Sequence, residues 1–485
     1  MRIELTALGL VVLASCSSCD GDRSKNLHAP NVAAAKDASA GAAVIDQSNG
    51  SGTEVVPPST IGYLDAPAGT LEGLYTGLAA ADRGDANGRV AMEFFGDSHT
   101  AGDSMTSRLR ATWQTRFGDA GRGVVGAGKV PTRHYYQRDV HYGRQGDWHA
   151  MVGGARGDTE PFGIDGMRVT GKGKGAQLWV ETCTECPSGT RVGQFEILYY
   201  AAPEHGVVKY RVDEQPWQTL ATKTTAIEPP HPGRQVIPVT DGPHKLTLEH
   251  GGGGVVDLFG VVMERPHPGV IVDSLGVVGR RLGSLRSWDW SIIGDQLSTR
   301  DPKLVVLQYG TNEADDPDLV LEDLARYYDE TILRIRAAAP TASILILGPP
   351  DMGVREGGKS CDHMKPNAAP IPECEWRTPS ILPEIISVEH AAAARNHVAF
   401  FDTFAAMGGA DHMGTWAEAE PKVAYKDRVH FTDIGYQRWA DALSGALLEG
   451  YAKWRAAQNL PATKAAVLPP ANVPSDALLP GPVAP

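Results

Sequence analysis

Basic residues are in short supply: 45 Lys and Arg stand against 58 Asp and Glu, a formal net charge of −13 over 485 residues. That balance excludes a nucleic-acid binder working by phosphate neutralisation. Bilayer-length apolar runs are also lacking. The run from Leu5 to Leu13 is too short to span, which excludes a multispan membrane protein. Repeats of solenoid type are missing, and residues 17 to 58 carry almost no aromatic side chain, so that stretch cannot bury enough surface to offset its ordering entropy. What is present is a globular composition, 42% apolar and 21% charged, with length for two or three domains. Fifty-five Gly and 34 Pro exceed average usage and predict many turns, β-structure and open linkers.

The first fifteen residues read as a targeting signal: Arg2, the apolar run, then small residues ahead of a cysteine. Leu13-Ala14-Ser15-Cys16 resembles a bacterial lipobox, which implies cleavage before Cys16 and a lipid on its sulfur, anchoring the chain to a membrane. Cys19 fits that pattern poorly. The expectation is an exported lipoprotein facing the periplasm or sorted to the outer membrane. Residues 16–58 read as a disordered tether, and 459–485, rich in Pro and Ala, as a disordered tail.

Export would favour disulfides over metal sites for the four remaining cysteines. Cys361 and Cys374 bracket a Pro- and Gly-rich stretch that a disulfide would close, and Cys183 and Cys186, in CTEC, can pair across a turn. A four-cysteine zinc site is the alternative; the long spacing between the pairs disfavours it. No metal or organic cofactor is expected.

Between the tails the pattern changes twice. Residues 59–148 open with a helix, the strand RVAMEFF and a helix over DSMTSRLRATWQTRF, the βα order of a parallel sheet. Residues 149–263 turn β-like, with short runs such as AQLWVETC, FEILYYA and HKLTLEH, and predict an all-β, jelly-roll-like sandwich. Over 264–458 βα alternation resumes and ends in a helix from about Asp433 to Ala457. The fold class is therefore α/β, a three-layer α/β/α domain with a parallel sheet, interrupted by a β domain.

Three strand ends of the α/β part carry polar strings where such folds place their sites. In FFGDSHTAGD, Ser98 follows a strand and precedes a helix; in LQYGTNEADD, Asn312 follows a buried strand and can present an amide donor. In YKDRVHFTDIGY, Asp427 and His430 lie three apart ahead of an amphipathic helix, with Thr432 as its expected cap. That spacing can bring a carboxylate to Nδ1 while Nε2 serves as general base. Each string alone also reads as an ordinary turn or cap. Together they supply nucleophile, oxyanion donors and oriented base.

At these residues the sequence resembles the SGNH (GDSL-type) hydrolase superfamily, with a flavodoxin-like domain as its expected fold. GDSH matches the first block, GTNE the third and DRVH the last; Gly279 in VDSLGVVGRRL best matches the second-block glycine, with Gly276 as runner-up. The closest resemblance is to the peptidoglycan O-acetylesterase branch, whose members interrupt the hydrolase domain with a carbohydrate-binding-module-like sandwich. It covers about residues 60 to 458. The resemblance implies catalysis by Ser98, Asp427 and His430, an oxyanion hole of the Ser98 and Gly279 N–H groups with the Asn312 amide, and removal of O-acetyl groups from a cell-wall glycan, the 6-O-acetyl of muramoyl residues foremost. Arg280-Arg281 departs from the small or polar residues usual in the branch.

The partner expected is O-acetylated peptidoglycan or another acetylated polysaccharide. Acyl transfer, or de-esterification of another glycan or a lipid, would use the same triad. A non-catalytic wall-binding lipoprotein is a third reading, against which the intact set of site residues argues. His99 is expected to make a local structural hydrogen bond. Eight basic and two acidic residues between Ser104 and Arg144 could attract peptidoglycan carboxylates or form a solvated face. Trp148, Trp179, Tyr200 and Trp217 could stack on sugars, although aromatics on strands more often fill a core.

Overall fold

The computed structural model describes residues 59–460 apart from 129, 132–134, 155–159 and 356–374. The expectations for the signal and tether, for Cys16 and the Cys361–Cys374 pair, and for the tail past 460 lie outside the described residues.

Six strands form one sheet in the order Leu64–Asp65, Ala399–Phe401, Ser343–Leu347, Pro302–Gln308, Arg89–Gly96, Gly269–Gly276. Every neighbouring pair is parallel except the one at the two-residue edge Leu64–Asp65. The strands read as near-continuous apolar runs because both faces are covered. Val90, Met92 and Phe94 pack into a core with helices Glu72–Arg83, Ser104–Phe117 and Asp433–Ala457. Phe95 joins the opposite core, under Trp290–Arg300, Leu321–Ala338 and Leu382–Asn396. Each large apolar side chain buried in these layers contributes about 1.5–3 kcal/mol.

Glu93 interrupts its strand's apolar run and is fully buried. Arg300 Nε reaches it at 3.2 Å and also pairs with Asp273 and Glu264, while Glu264 receives Arg89 at 2.7 Å. Burial, reinforced by the neighbouring Asp273 charge, pushes the Glu93 carboxyl well above its ordinary range. Removing one member of such a network costs about 3–5 kcal/mol, because it strands a buried charge.

The remaining strands build two antiparallel sheets. One runs Gln218–Ala221, Val207–Val212, Lys245–Gly252, Gln177–Thr182, Val140–Gln145; the other runs His231–Gly242, Val192–Ala201, Val256–Glu264, Met167–Gly171, Trp148–Val152, with Gly121–Val125 added on Val256–Glu264. Leu178, Val180, Tyr210 and Leu246 from the first meet Val169, Phe195, Ile197 and Leu258 from the second in one core. Cys183 and Cys186 are joined by a disulfide at the end of a strand of the first sheet.

Three expectations need correction. The sandwich sheets begin ahead of residue 149, since Gly121–Val125 and Val140–Gln145 belong to them. Glycines and polar edge residues hide both strands from a periodicity reading. Among the described residues, most of the basic stretch from Ser104 to Arg144 is paired and not an open cationic face: Arg110 and Arg122 are buried on Asp103, Arg110 also reaches Asp139, and Arg108, Arg116 and Arg138 pair with Asp441, Asp82 and Asp433. Thr432 stands at the N-cap position of the last helix, but its hydroxyl donates to Lys422 O at 2.8 Å and Val423 O at 3.1 Å instead of accepting from the helix.

Of the four aromatics weighed for sugar stacking, Trp148 is core. Tyr200 packs on Phe259, and Trp179 and Trp217 lie under Lys245 and Arg211, at 5.3 and 4.8 Å from the ring centroids.

Candidate active site

Parallel register brings three strand ends level. Gly96 is opposite Gly276 on one side and Gln308 on the other, so the chain segments leaving these strands emerge along one edge of the sheet. Ser98 opens the four-residue helix Ser98–Ala101 just beyond Gly96. Asp97 caps it by accepting the His99 N–H at 2.8 Å. As the first residue of a helix, Ser98 has an N–H without an intrahelical acceptor. A Cβ on Gly276 would lie 2.3 Å from the Ala101 nitrogen, so only glycine lets this helix settle over the sheet edge.

His430 and Asp427 arrive from the loop before the last helix. Asp427 Oδ1 accepts the N–H groups of Val429 at 3.0 Å and His430 at 3.1 Å, and Tyr425 N–H donates to His430 O at 2.8 Å. This tight loop aims Asp427 Oδ2 at His430 Nδ1, 2.9 Å away. His430 Nε2 lies 2.9 Å from Ser98 Oγ. Burial alone would raise the Asp427 carboxyl, but the hydrogen bonds from the His430 ring and the two backbone N–H groups outweigh it and hold it at about 2. An ionised carboxylate only accepts, so Nδ1 carries the proton of a neutral ring and Nε2 accepts from the Ser98 hydroxyl.

Behind this relay, His99 is fully buried, with Nδ1 3.1 Å from the Tyr436 hydroxyl and its ring 5.4 Å from that of His430. Burial, and then the charge His430 can carry, hold His99 well below the ordinary imidazole range, so it stays neutral. Burial also pushes the Asp97 carboxyl up to about 7.

The donor side is built by two loops. Asn312, past Pro302–Gln308, donates from Nδ2 to Arg280 O at 3.1 Å, which uses one of its two amide hydrogens and sets it beside the Gly279 turn. Gly279 has φ +71° and open space where a Cβ would stand, whereas Gly276 is a packing position. Gly276 is thus the glycine required by packing, and Gly279 stands in the turn beside Asn312.

Sequence reasoning missed what joins these loops. The buried Glu313 carboxylate accepts Gly310 N–H at 2.9 Å on one oxygen and Leu282 N–H at 2.8 Å on the other. Arg281 Nε donates to Asn312 O at 2.9 Å and its guanidinium pairs with Asp316. Both unusual arginines are thus engaged with the protein, Arg280 through Nε to Gly153 O at 2.8 Å. The Glu313 bond to the Gly310 N–H has the three-residue spacing by which a capping box returns its carboxylate to the backbone, but without the Ser or Thr and the helix that would mark it in the sequence, and nothing local marked Arg281.

Among the described residues, His141, Cys183 and Glu185 bring possible metal-ligand atoms within 4.8 Å of one another, and the Cys183 sulfur is already in the disulfide. No described helix is long and apolar enough to cross a membrane.

Residues 239–438 match the model of the GDSL-like lipase/acylhydrolase family. No curated protein matches the chain. Among solved structures, a peptidoglycan O-acetylesterase is 24% identical with a TM-score of 0.64, covering 81% of this chain and 99% of that one. A family two carbohydrate esterase from Cellvibrio japonicus is 11% identical at a TM-score of 0.25, over 65% of this chain and 98% of that one. A family two carbohydrate esterase from Clostridium thermocellum, in complex with cellohexaose, is 12% identical at 0.25, over 63% and 100%. The fold is that of the SGNH hydrolases, with antiparallel sheets in addition to the parallel one, and the superfamily resemblance read from the three motif blocks is borne out.

Proposed function

We propose that the chain is a serine esterase that removes O-acetyl groups from a cell-envelope glycan, most specifically the 6-O-acetyl groups of muramoyl residues in peptidoglycan. One observation carries the reading: Ser98 Oγ, His430 Nε2, His430 Nδ1 and Asp427 Oδ2 form a continuous relay with both links at 2.9 Å. The relay stands at the carboxyl edge of a parallel sheet in an SGNH fold. The choice of substrate is supported by the structural likeness to a peptidoglycan O-acetylesterase along nearly the whole of that chain.

In the proposed reaction His430 Nε2 takes the Ser98 proton as Oγ attacks the acetyl carbonyl. Asp427 keeps the ring in the Nδ1–H tautomer and stabilises the imidazolium. The negative charge on the carbonyl oxygen is received by the N–H groups of Ser98 and Gly279 and by the second hydrogen of the Asn312 amide. The tetrahedral intermediate collapses to an acetyl-enzyme as the bond to the sugar oxygen breaks, and the proton on Nε2 passes to that oxygen, which leaves as the sugar hydroxyl. Water, deprotonated by His430, attacks the acetyl-enzyme and releases acetate while Ser98 regains its proton. Cys16 lipidation and export, with 16–58 as tether, complete the reading by placing the enzyme at the envelope.

The test is acetate release from O-acetylated peptidoglycan by the purified protein, with Ser98→Ala and long-chain esters as controls. Ser98-dependent release with long esters ignored is the expected result. Turnover of small acetyl esters without release from peptidoglycan would retain the triad and discard the substrate.

A further inference from the structure

The turn that presents Gly279 is tied down on several sides. Val277 N–H donates to Gly96 O at 2.9 Å, and Arg280 N–H closes the turn on Val277 O at 3.1 Å. Leu282 N–H ends on Glu313, and Arg280 O receives Asn312. All of these partners belong to the hydrolase sheet and its loops. Two more do not. Tyr135, on the connection between Gly121–Val125 and Val140–Gln145, accepts the Val278 N–H on its hydroxyl oxygen at 3.0 Å. Gly153, one residue past Trp148–Val152, accepts Arg280 Nε at 2.8 Å. Both connect strands of the antiparallel sheets.

The Tyr135 bond bears directly on the donor. The Val278 N–H lies in the peptide plane immediately before the plane that carries the Gly279 N–H. With its left-handed φ, glycine has wide rotational freedom, so the direction of its N–H is set only if its neighbours are held. Preorganised donors act because they need not turn during the reaction, and a misplacement of about 1 Å costs ~10²-fold. The Tyr135 ring packs against a buried apolar core shared by the two kinds of sheet, so its aromatic body and its hydroxyl have separable roles. Burial pushes the phenol up to about 12, so it remains a neutral acceptor of the Val278 N–H at any working pH.

Resting on the esterase reading above, we propose that Tyr135 is a positioning residue of the oxyanion hole, through which the sandwich fixes the peptide preceding the Gly279 N–H. The sandwich is then a structural component of the catalytic apparatus, whatever else it binds.

The test compares wild-type protein with Tyr135→Phe, which deletes the hydroxyl and keeps the ring. Turnover of a small soluble acetyl ester is measured per active site, with sites counted by a covalent fluorophosphonate probe. Affinity for a small alkylboronic acid, which adds to the serine as a tetrahedral anion, is measured in parallel. The expected result is a kcat per site lower by about 10- to 100-fold, KM within about twofold, and a boronate affinity reduced by the same factor as kcat/KM. Tyr199→Phe, which removes a phenol elsewhere in the sandwich, should match wild type. A kcat per site within about twofold of wild type, or a loss confined to KM or to the number of reactive sites, overturns the proposal. Should Tyr135→Phe fail to fold, Tyr135→His, whose ring nitrogen can still accept the Val278 N–H, and Tyr135→Leu, which cannot, are compared instead, with kcat expected to be lower in Tyr135→Leu and equal values overturning the proposal. Activity surviving in Ser98→Ala overturns the esterase reading itself. An inactive Ser98→Ala beside a fully active Tyr135→Phe overturns only the role of Tyr135.

Discussion

His430 Nε2 stands 2.9 Å from Ser98 Oγ although 332 positions separate the two residues in the chain. Each reaches that point on its own short device, Ser98 on a helix that starts where its strand ends, His430 on a loop closed by Asp427. The distance is that of a hydrogen bond, so the fold itself brings nucleophile and base together.

Ser98→Ala should leave only background hydrolysis. Asn312→Ala should lower kcat by about 10² to 10³ with little change in KM, the usual effect of removing one oxyanion donor. Steady-state kinetics on a small acetyl ester check both, and an unchanged kcat would remove Asn312 from the hole.

Asp427→Asn should cost roughly 10⁴ in kcat at neutral pH. An asparagine can still accept the Val429 and His430 N–H groups on its oxygen, so the loop should persist. Its NH₂ would then face Nδ1 and favour the opposite tautomer, leaving Nε2 protonated and unable to accept from Ser98. A melting temperature near wild type, together with the kinetic loss, distinguishes this from unfolding.

Asp97 gives stability a defined pH dependence. Its carboxyl is raised by burial from 3.8 to about 7, so between those values the folded state binds more protons than the unfolded state. Stability from this group is therefore fully present below about 4 and is lost as pH rises through about 7. Asp97→Asn keeps an oxygen for the His99 N–H and removes the titration. The variant should gain on wild type from pH 5 to pH 8 by about 3 kcal/mol, the part of the shift that falls inside this window. Urea denaturation at the two pH values reads the difference, and parallel curves for the two proteins would assign the slope elsewhere.

The two glycines of the second block should respond oppositely to alanine. Gly279→Ala meets no atom within 4 Å and carries only the strain of φ +71°, roughly 1–2 kcal/mol, while keeping its N–H. Gly276→Ala drives a methyl into the Ala101 nitrogen at 2.3 Å, so the Ser98 helix must move. Activity per folded molecule should fall much further in Gly276→Ala. Equal losses would remove the distinction between a packing glycine and a donor glycine.

Much of this architecture is legible in the amino-acid sequence. Unbroken apolar runs such as Leu304–Leu307 and Ile344–Leu347 mark strands buried on both faces, and the last helix lies at Asp433–Ala457, where its amphipathic pattern and end signals place it. Ser98, Asn312, Asp427 and His430 stood out because each sits where a strand ends or a helix begins, and the chemistry of attack, donation and proton transfer restricts their residue types. The strands Gly121–Val125 and Val140–Gln145 did not stand out, since glycines and exposed polar residues carry no period-two signal.

Side-chain chemistry and distance from element ends mark which residues can be nucleophile, base and donor, and both can be read along the chain. How those residues are held is a matter of packing. Glu313 bridging Gly310 and Leu282, Arg281 on Asn312, Tyr135 under Val278 and the arginines folded inward on Asp103 are contacts between a side chain and a group far along the chain. Such contacts follow no periodicity. They exist only once packing has brought separate loops to one edge of the sheet, where a buried N–H or charge must find whatever partner the fold has placed within reach.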